Sequence, residues 1–289
     1  MEYHTSLSTR VARVSPIILV VFSIFSVQIG TAIAIYLFHA VPASGAAFYN
    51  ALFSAVVLGI FSRNAKIQLS LNGVAYLLCF GASIAGMFLT FFYAVERIPM
   101  AIGSTIEFMG PLALSVVFAR RPIHFLFILL AIAGVVVLMP SVGSKLDAIG
   151  VFYAVLSAAF WALFILLCPK VTENCHGESG LALGMAIAAV IIFPFAWLQN
   201  GLLNITLSIL FGEFLMALFS TIIPLSLEYI ALRSMSARSF GVVVSMEPVA
   251  SALVAFVVLA QPIYPRMAIA IIAVTVAAIG ITLTEEKNE

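Results

Sequence analysis

The sequence predicts an all-α integral membrane protein of ten transmembrane helices, arranged as two inverted five-helix repeats. Three observations carry this reading. First, 64% of the 289 residues are hydrophobic and only 9% are charged, with a mean hydropathy of +1.21. A soluble domain is about half apolar and about a quarter charged, so lipid must be the solvent for most of this chain. Second, the apolar residues fall into ten runs, and at about 20 residues per span the chain has room for roughly ten spans and no sizeable soluble domain. Third, lysine and arginine concentrate in every second connection between those runs, on one side of the membrane.

The first run, Pro16–Leu37, follows Arg10 and Arg13 as a signal peptide's apolar region would, and Ala32-Ile33-Ala34 resembles a cleavage site. The run is long enough to span and is read as a retained span 1. Gly45–Ser62, Asn72–Val95, Met100–Ala119 and Ile123–Met139 are spans 2 to 5; Ala148–Cys168, Gly180–Leu198, Ser208–Tyr229, Ser239–Leu259 and Met267–Thr284 are spans 6 to 10. Turn residues and charges separate them, as at Pro42, Pro99, Pro140 and Gln261-Pro262. Only helices or closed barrels satisfy the backbone in lipid, and runs this long without strict alternation mean helices.

With the N-terminus inside, the cytoplasmic segments hold Arg10, Arg13, Arg63, Lys66, Arg120, Arg121, Lys170, Arg233, Arg238 and Lys287. The opposite side holds only Arg97, Lys145 and Arg266. That bias predicts both termini in the cytoplasm. Met109 and Pro111 fall on Met246 and Pro248 when the halves are overlaid, and Ala94 falls on Ala231. Five spans per half would place the halves, residues 1–142 and 143–289, in opposite orientations, an arrangement many transporters use to build a midplane site.

The residues able to carry chemistry lie in spans 4 and 9. Glu107 is about eight residues, or roughly 12 Å, into span 4, and Glu247 is at a matching depth in span 9 from the other side. A carboxylate at such depth costs about 2.5–3.5 kcal/mol on insertion scales and is a functional candidate by default; the alternative is a protonated acid that joins two helices. Pro111 cannot donate to the carbonyl of Glu107, and Pro248 frees that of Val244. Gly103 and Gly110 are expected to leave space beside Glu107, with Gly110, Pro111, Pro224 and Pro248 as kinks for gating. Glu107 stands four residues before its proline and Glu247 one before, so the two carboxylates are predicted not to be equivalent.

Glu228, five residues from Arg233, suits a gate, an interfacial ion pair or a proton relay. Glu96 and Glu213 read as interfacial residues, although Glu213 could line an exit path. Gln28, Tyr49, Asn50, Tyr93, Ser104, Tyr153, Ser157, Trp161, Ser220 and Ser245 are further polar or aromatic candidates for a cavity wall. No lysine or arginine lies deep in a span, which argues against phosphorylated substrates. No motif for metal hydrolysis or serine-type catalysis is present, so the chain reads as neither an enzyme nor a metal or cofactor protein. Cys79, Cys168 and Cys175 read as unpaired packing residues. The net charge of +1 gives no reason to expect nucleic-acid binding.

Ile106-Glu107-Phe108-Met109-Gly110-Pro111-Leu112-Ala113, Arg120-Arg121-Pro122, Pro224-Leu225-Ser226-Leu227-Glu228-Tyr229-Ile230-Ala231-Leu232 and Ser245-Met246-Glu247-Pro248 resemble segments of the EamA-type drug/metabolite transporter superfamily. Within it they are most similar to the bacterial threonine and homoserine exporters. The resemblance covers essentially the whole chain. It implies a central cavity in the bacterial inner membrane, export of a small amino acid or amine-bearing metabolite, and exchange for protons. Glu107, Pro111, Pro224, Glu228, Glu247 and Pro248 fall on the family's motif positions. Asn50 stands where many relatives have an arginine, which leaves room for a substrate different from theirs. A multidrug or cationic-metabolite exporter of the same superfamily is the alternative.

Overall fold

The computed structural model describes residues 15–62, 71–117, 122–138, 147–174, 179–203, 205–232 and 243–284. Ten of the basic residues behind the orientation argument lie outside that set, among them Arg233, five residues after Glu228 in the sequence, as do Cys175 and residues 239–242 of span 9. The described residues form helices and connecting turns, with no strand among them.

In chain order the helices are α1 (Pro16–Leu37), α2 (Ala43–Ser62), α3 (Leu71–Val95), α4 (Met100–Glu107), α5 (Met109–Val117) and α6 (Pro122–Leu138). They continue as α7 (Ala148–Asn174), α8 (Ser179–Leu198), α9 (Leu207–Ala217), a π-helical turn (Leu218–Ile222), α10 (Ile223–Leu232), α11 (Glu247–Val258) and α12 (Pro265–Thr284). Six stretches among the described residues are long and apolar enough to cross a membrane: α1, α2, α3, Ala148–Glu173, α8 and Leu207–Glu228. The remaining predicted spans appear as shorter apolar helices.

Each predicted span has a helix, and the differences lie inside them. Span 4 is not one rod: α4 stops at Glu107 and α5 starts at Met109, with Phe108 as the joint. Pro111 has no N–H to give to the Glu107 carbonyl, so the ladder opens there. Span 8 contains the π turn, where one extra residue per turn shifts the side chains that follow. Span 6 runs past Cys168 to Asn174 with Pro169 inside it.

The bundle is built on pairs. α3 packs along α7 and α8, α2 along α8, and α6 along α12. α1 lies against α9, the π turn, α10 and α11, while α4 meets α7 and α11. Between such helices apolar burial gives little drive, because lipid is as apolar as leucine, so close backbone approach has to hold them. Glycine supplies it, and two contacts bear on the interrupted helices. A Cβ on Gly30 would collide with the backbone of Ser220, so this close approach of α1 to the π turn needs a glycine there. A Cβ on Gly110 would overlap the carbonyl oxygen of Ala158, which seats α5 on α7. The expected free space beside Glu107 at Gly110 is therefore filled by the backbone of α7, and this glycine is a packing contact. The outer surface is apolar, with Phe22 66% and Phe61 73% exposed; lipid, not water, suits such a surface.

Gly110→Ala is expected to lower stability by about 1–3 kcal/mol through overpacking against a backbone that cannot rotate away. Gly59 is the control, because a Cβ added there would meet nothing within 4 Å. Gly59→Ala should leave stability unchanged or raise it by up to about 1 kcal/mol. Thermal unfolding of the purified variants in one detergent checks both.

Candidate functional site

The helix breaks and the carboxylates meet at one cavity of about 750 Å³. Glu107, at the end of α4, accepts a 2.5 Å hydrogen bond from the Ser157 hydroxyl of α7. Glu247 is the first residue of α11, and the Gln28 amide of α1 approaches it at 3.5 Å. Glu228, on α10, accepts a 2.5 Å hydrogen bond from the Ser23 hydroxyl of α1. All three line the cavity, and both Glu107 and Glu228 lie within electrostatic reach of Glu247. No lysine, arginine or histidine is among the described residues that line it.

The predicted inequivalence of the two central glutamates takes a definite form. Glu107 closes a helix and Glu247 opens one. Helix C-termini gather carbonyl oxygens, and helix N-termini gather free N–H groups that favour negative charge. Their hydrogen-bond partners also differ, a serine hydroxyl against a glutamine amide.

Asn50 sits at the cavity wall, 2% exposed. Its Oδ1 accepts from Thr221 at 2.9 Å and from Ser220 at 3.3 Å. The donors left on Asn50 are the amide hydrogens, suited to an anionic or carbonyl oxygen. The π turn is what brings two consecutive hydroxyls, Ser220 and Thr221, onto this one acceptor. Ser104 lines the cavity and accepts from Ser251 at 3.0 Å. Trp161 lines it too, edge-on to Phe108 with ring centroids 6.2 Å apart. Phe80, Phe88, Phe91, Phe92 and Phe164 add further aromatic rings to a wall otherwise mainly aliphatic. Of the predicted kinks, Pro111 and Pro224 line the cavity, and Pro248 is buried in the first turn of α11.

Other predicted residues fall elsewhere. Ser245 is fully buried and does not line the cavity. Tyr93 belongs to a closure at one end of the bundle. There the Ser44 hydroxyl donates to Gln199 Oε1 at 2.8 Å, and Gln199 Nε2 donates to the Tyr93 hydroxyl at 2.7 Å. The Tyr93 and Tyr153 rings stand 5.2 Å apart beside it. Gly45 and Gly201 meet at the same end, and the Met100 N–H donates to Gln261 Oε1 at 3.1 Å. Arg97 pairs with Asp147 at 3.0 Å, which holds that carboxyl below its ordinary range. The cavity reaches instead toward the other end, along Cys168, Val171, Thr172 and Gly180. Glu213, expected at the interface, is 0% exposed and buried in the bundle, with neither carboxylate oxygen hydrogen-bonded among the described residues. Residue 213 lies near a helix start, and only the packing of α1 and α2 over it buries it.

A polytopic helical bundle with an acidic internal cavity, broken helices at its wall and one end sealed is the architecture of a membrane transporter. Residues 148–283 match the EamA-like transporter family. The chain is 32% identical to the threonine/homoserine exporter RhtA of Escherichia coli (strain K12), over 94% of this chain and 93% of the relative, and equally so to that of Salmonella typhimurium (strain LT2). It is 23% identical to the pseudopaline exporter CntI of Pseudomonas aeruginosa, over 63% of this chain and 66% of that one. A solved crystal structure matches with a TM-score of 0.60 at 18% identity, covering 96% of this chain and 97% of its own, and so shares the fold. The chain belongs to the EamA-like transporter family.

Cys168 and Cys79 are both exposed, but Cys168 lines the cavity whereas Cys79 stands on α3 away from it. In the Cys175→Ser protein, reconstituted in nanodiscs, a water-soluble maleimide is expected to modify Cys168 and spare Cys79. Mass mapping checks this; equal labelling would place the aqueous space elsewhere.

Proposed function

We propose that this protein is a bacterial inner-membrane secondary transporter that exports a small amino acid of the threonine or homoserine type, or a related amine-bearing metabolite, in exchange for protons. One observation carries the reading: three carboxylates and no basic side chain, among the described residues, line a single cavity. An ammonium group is the natural guest of such a wall, and a carboxylate in low dielectric is also a proton acceptor. The Asn50 amide hydrogens, with Oδ1 held by the Ser220 and Thr221 hydroxyls, would meet the substrate's carboxylate. Neutral donors would take the place of the arginine that many relatives are expected to carry there.

The ten spans are read as two inverted halves, residues 1–142 and 143–289, with both termini in the cytoplasm. The helix pairs support that reading. If each span is exchanged for the one five places along, α3 on α7 becomes span 8 on α1, α3 on α8 becomes span 8 on α2, and α4 on α7 becomes α11 on α1. The pairs α2 with α8, α6 with α12 and α4 with α11 map onto themselves, and every pair named is present. In this orientation the cavity opens to the cytoplasm, and the Ser44–Gln199–Tyr93 closure lies on the outer side. Alternation between this arrangement and its mirror, about the joint at Phe108 and the prolines 111, 224 and 248, would carry substrate out.

A second reading has support from the cavity itself. At about 750 Å³ it falls in the range of drug-sized pockets, and its aromatic rings suit lipophilic cations. Competition separates the two. Small amino acids should raise the thermal stability of the purified protein more than lipophilic cations do, and the reverse result would favour the second reading. In proteoliposomes, uphill export is expected to need a pH gradient, worth a factor of about ten in concentration per proton and pH unit. Glu107→Gln and Glu247→Gln should abolish that uphill component. Unchanged export in both variants would reject the site.

A further inference from the structure

Glu213 lies outside the cavity, and the mechanism above does not use it. It is the seventh residue of α9, about 9 Å along from Leu207 at 1.5 Å per residue, in the half of the bundle that is sealed. Its side chain is 0% exposed, and neither carboxylate oxygen has a hydrogen-bond partner among the described residues. The elements packed on α9 are α1, α2 and the π turn. From α2 the one titratable group is Tyr49, which lies within electrostatic reach of Glu213. Neither the π turn nor α1 carries an acidic, basic or histidine side chain; the only titratable group on α1 is Tyr36, 76% exposed. Glu228, on α10 beyond the π turn, faces the cavity. No cation among the described residues therefore answers Glu213.

The surrounding contacts are tight and apolar. Leu37 of α1 stands 3.1 Å from where a Cβ on Gly212 would be, and Phe53 of α2 packs edge-on against Phe214. Met216, one turn along, is fully buried and accepts from the Ser220 hydroxyl at 3.6 Å, and neither Met216 nor Glu213 lines the cavity. An ionised carboxylate sealed in such surroundings without a counter-ion or donor is strongly disfavoured. A neutral acid is tolerated there.

We propose that Glu213 is a proton-binding site separate from the substrate cavity, and that the outer half closes over it only in its protonated form. The proton comes from water on the outer face while α1, α2 and α9 stand apart, and forms an O–H bond on the Glu213 carboxylate. Closure then buries a neutral group. Loss of that proton leaves an anion that must be hydrated, which holds the outer half open. Acid outside therefore favours return to the closed form, and alkali favours the open one. The naming of an outer half rests on the export reading and its orientation.

The test uses the full-length protein with Cys79, Cys168 and Cys175 changed to serine and Leu37→Cys added, once with Glu213 and once with Glu213→Gln. Both are reconstituted in nanodiscs and labelled with a water-soluble maleimide across a range of pH. The glutamine, a neutral stand-in for the acid, should hold Leu37→Cys, half-buried in the closed form, at one low accessibility throughout. Dividing the labelling rate with Glu213 by that with glutamine removes the thiol's own pH dependence. The ratio is expected to rise with pH, by at most about tenfold per unit for one titrating group; a ratio independent of pH overturns the proposal. If Glu213→Gln does not fold, wild-type protein is treated with dicyclohexylcarbodiimide, which modifies protonated carboxyls in apolar surroundings. An adduct at Glu213 at neutral pH supports the site; adducts at Glu107 with Glu213 unmodified overturn it. Neither readout involves substrate flux, so failure of proton-coupled export in proteoliposomes is a separate result.

Discussion

Lipid offers no hydrogen bonds, and the positions at which this chain leaves the regular helix follow from that constraint. An interrupted backbone at membrane depth is tolerated only where protein or water can satisfy it. The interruptions beside the cavity are the joint at Phe108, the π turn at 218–222 and the turn at Ser245-Met246 ahead of α11. They gather around one space, where freed carbonyls can turn toward polar neighbours. Breaking the helices and making the site are thus one structural act: Pro111 opens the ladder at Glu107, and the π turn swings Ser220 and Thr221 onto Asn50.

The same solvent determines how the bundle holds together. Burying leucine against leucine gains little when lipid is the alternative, so the contacts that matter are backbone to backbone. Gly30 on Ser220 and Gly110 on Ala158 are such contacts, and each ties a regular helix to an interrupted one. The broken segments are therefore braced from behind, which keeps their side chains directed at the cavity. A bundle braced at a few small residues can still rock about them, as a transporter requires.

The electrostatics divide the molecule in two. Toward the open end, the acidic side chains have hydroxyl or amide partners and border a cavity able to hold water and a cation. At the sealed end, polar groups pair among themselves, as Ser44, Gln199 and Tyr93 do, and Glu213 alone is left without a partner among the buried acids described. The contrast between Glu107, a helix end with a serine donor, and Glu213, a mid-helix acid with none, separates a site that exchanges ligands from one that stays enclosed.

Much of this could be read from the residues alone. Apolar runs located the helices because their demand on solvent is local, and counting at a fixed rise per residue put Glu107 and Glu247 well inside their runs, where both line the cavity. The offset between each carboxylate and its proline already implied that the two would not be equivalent. What lay beyond the sequence was everything set by one helix against another. Gly110 looked like empty space until Ala158 filled it, Tyr93 looked like cavity wall until Gln199 drew it into the closure, and Glu213 looked interfacial until α1 and α2 covered it. The π turn left no signal in composition, and its contact with Gly30 joins residues far apart in the chain. The sequence determined which groups enter the membrane and how deep; the tertiary structure decided which face water and which are sealed, because burial belongs to the neighbours as much as to the residue.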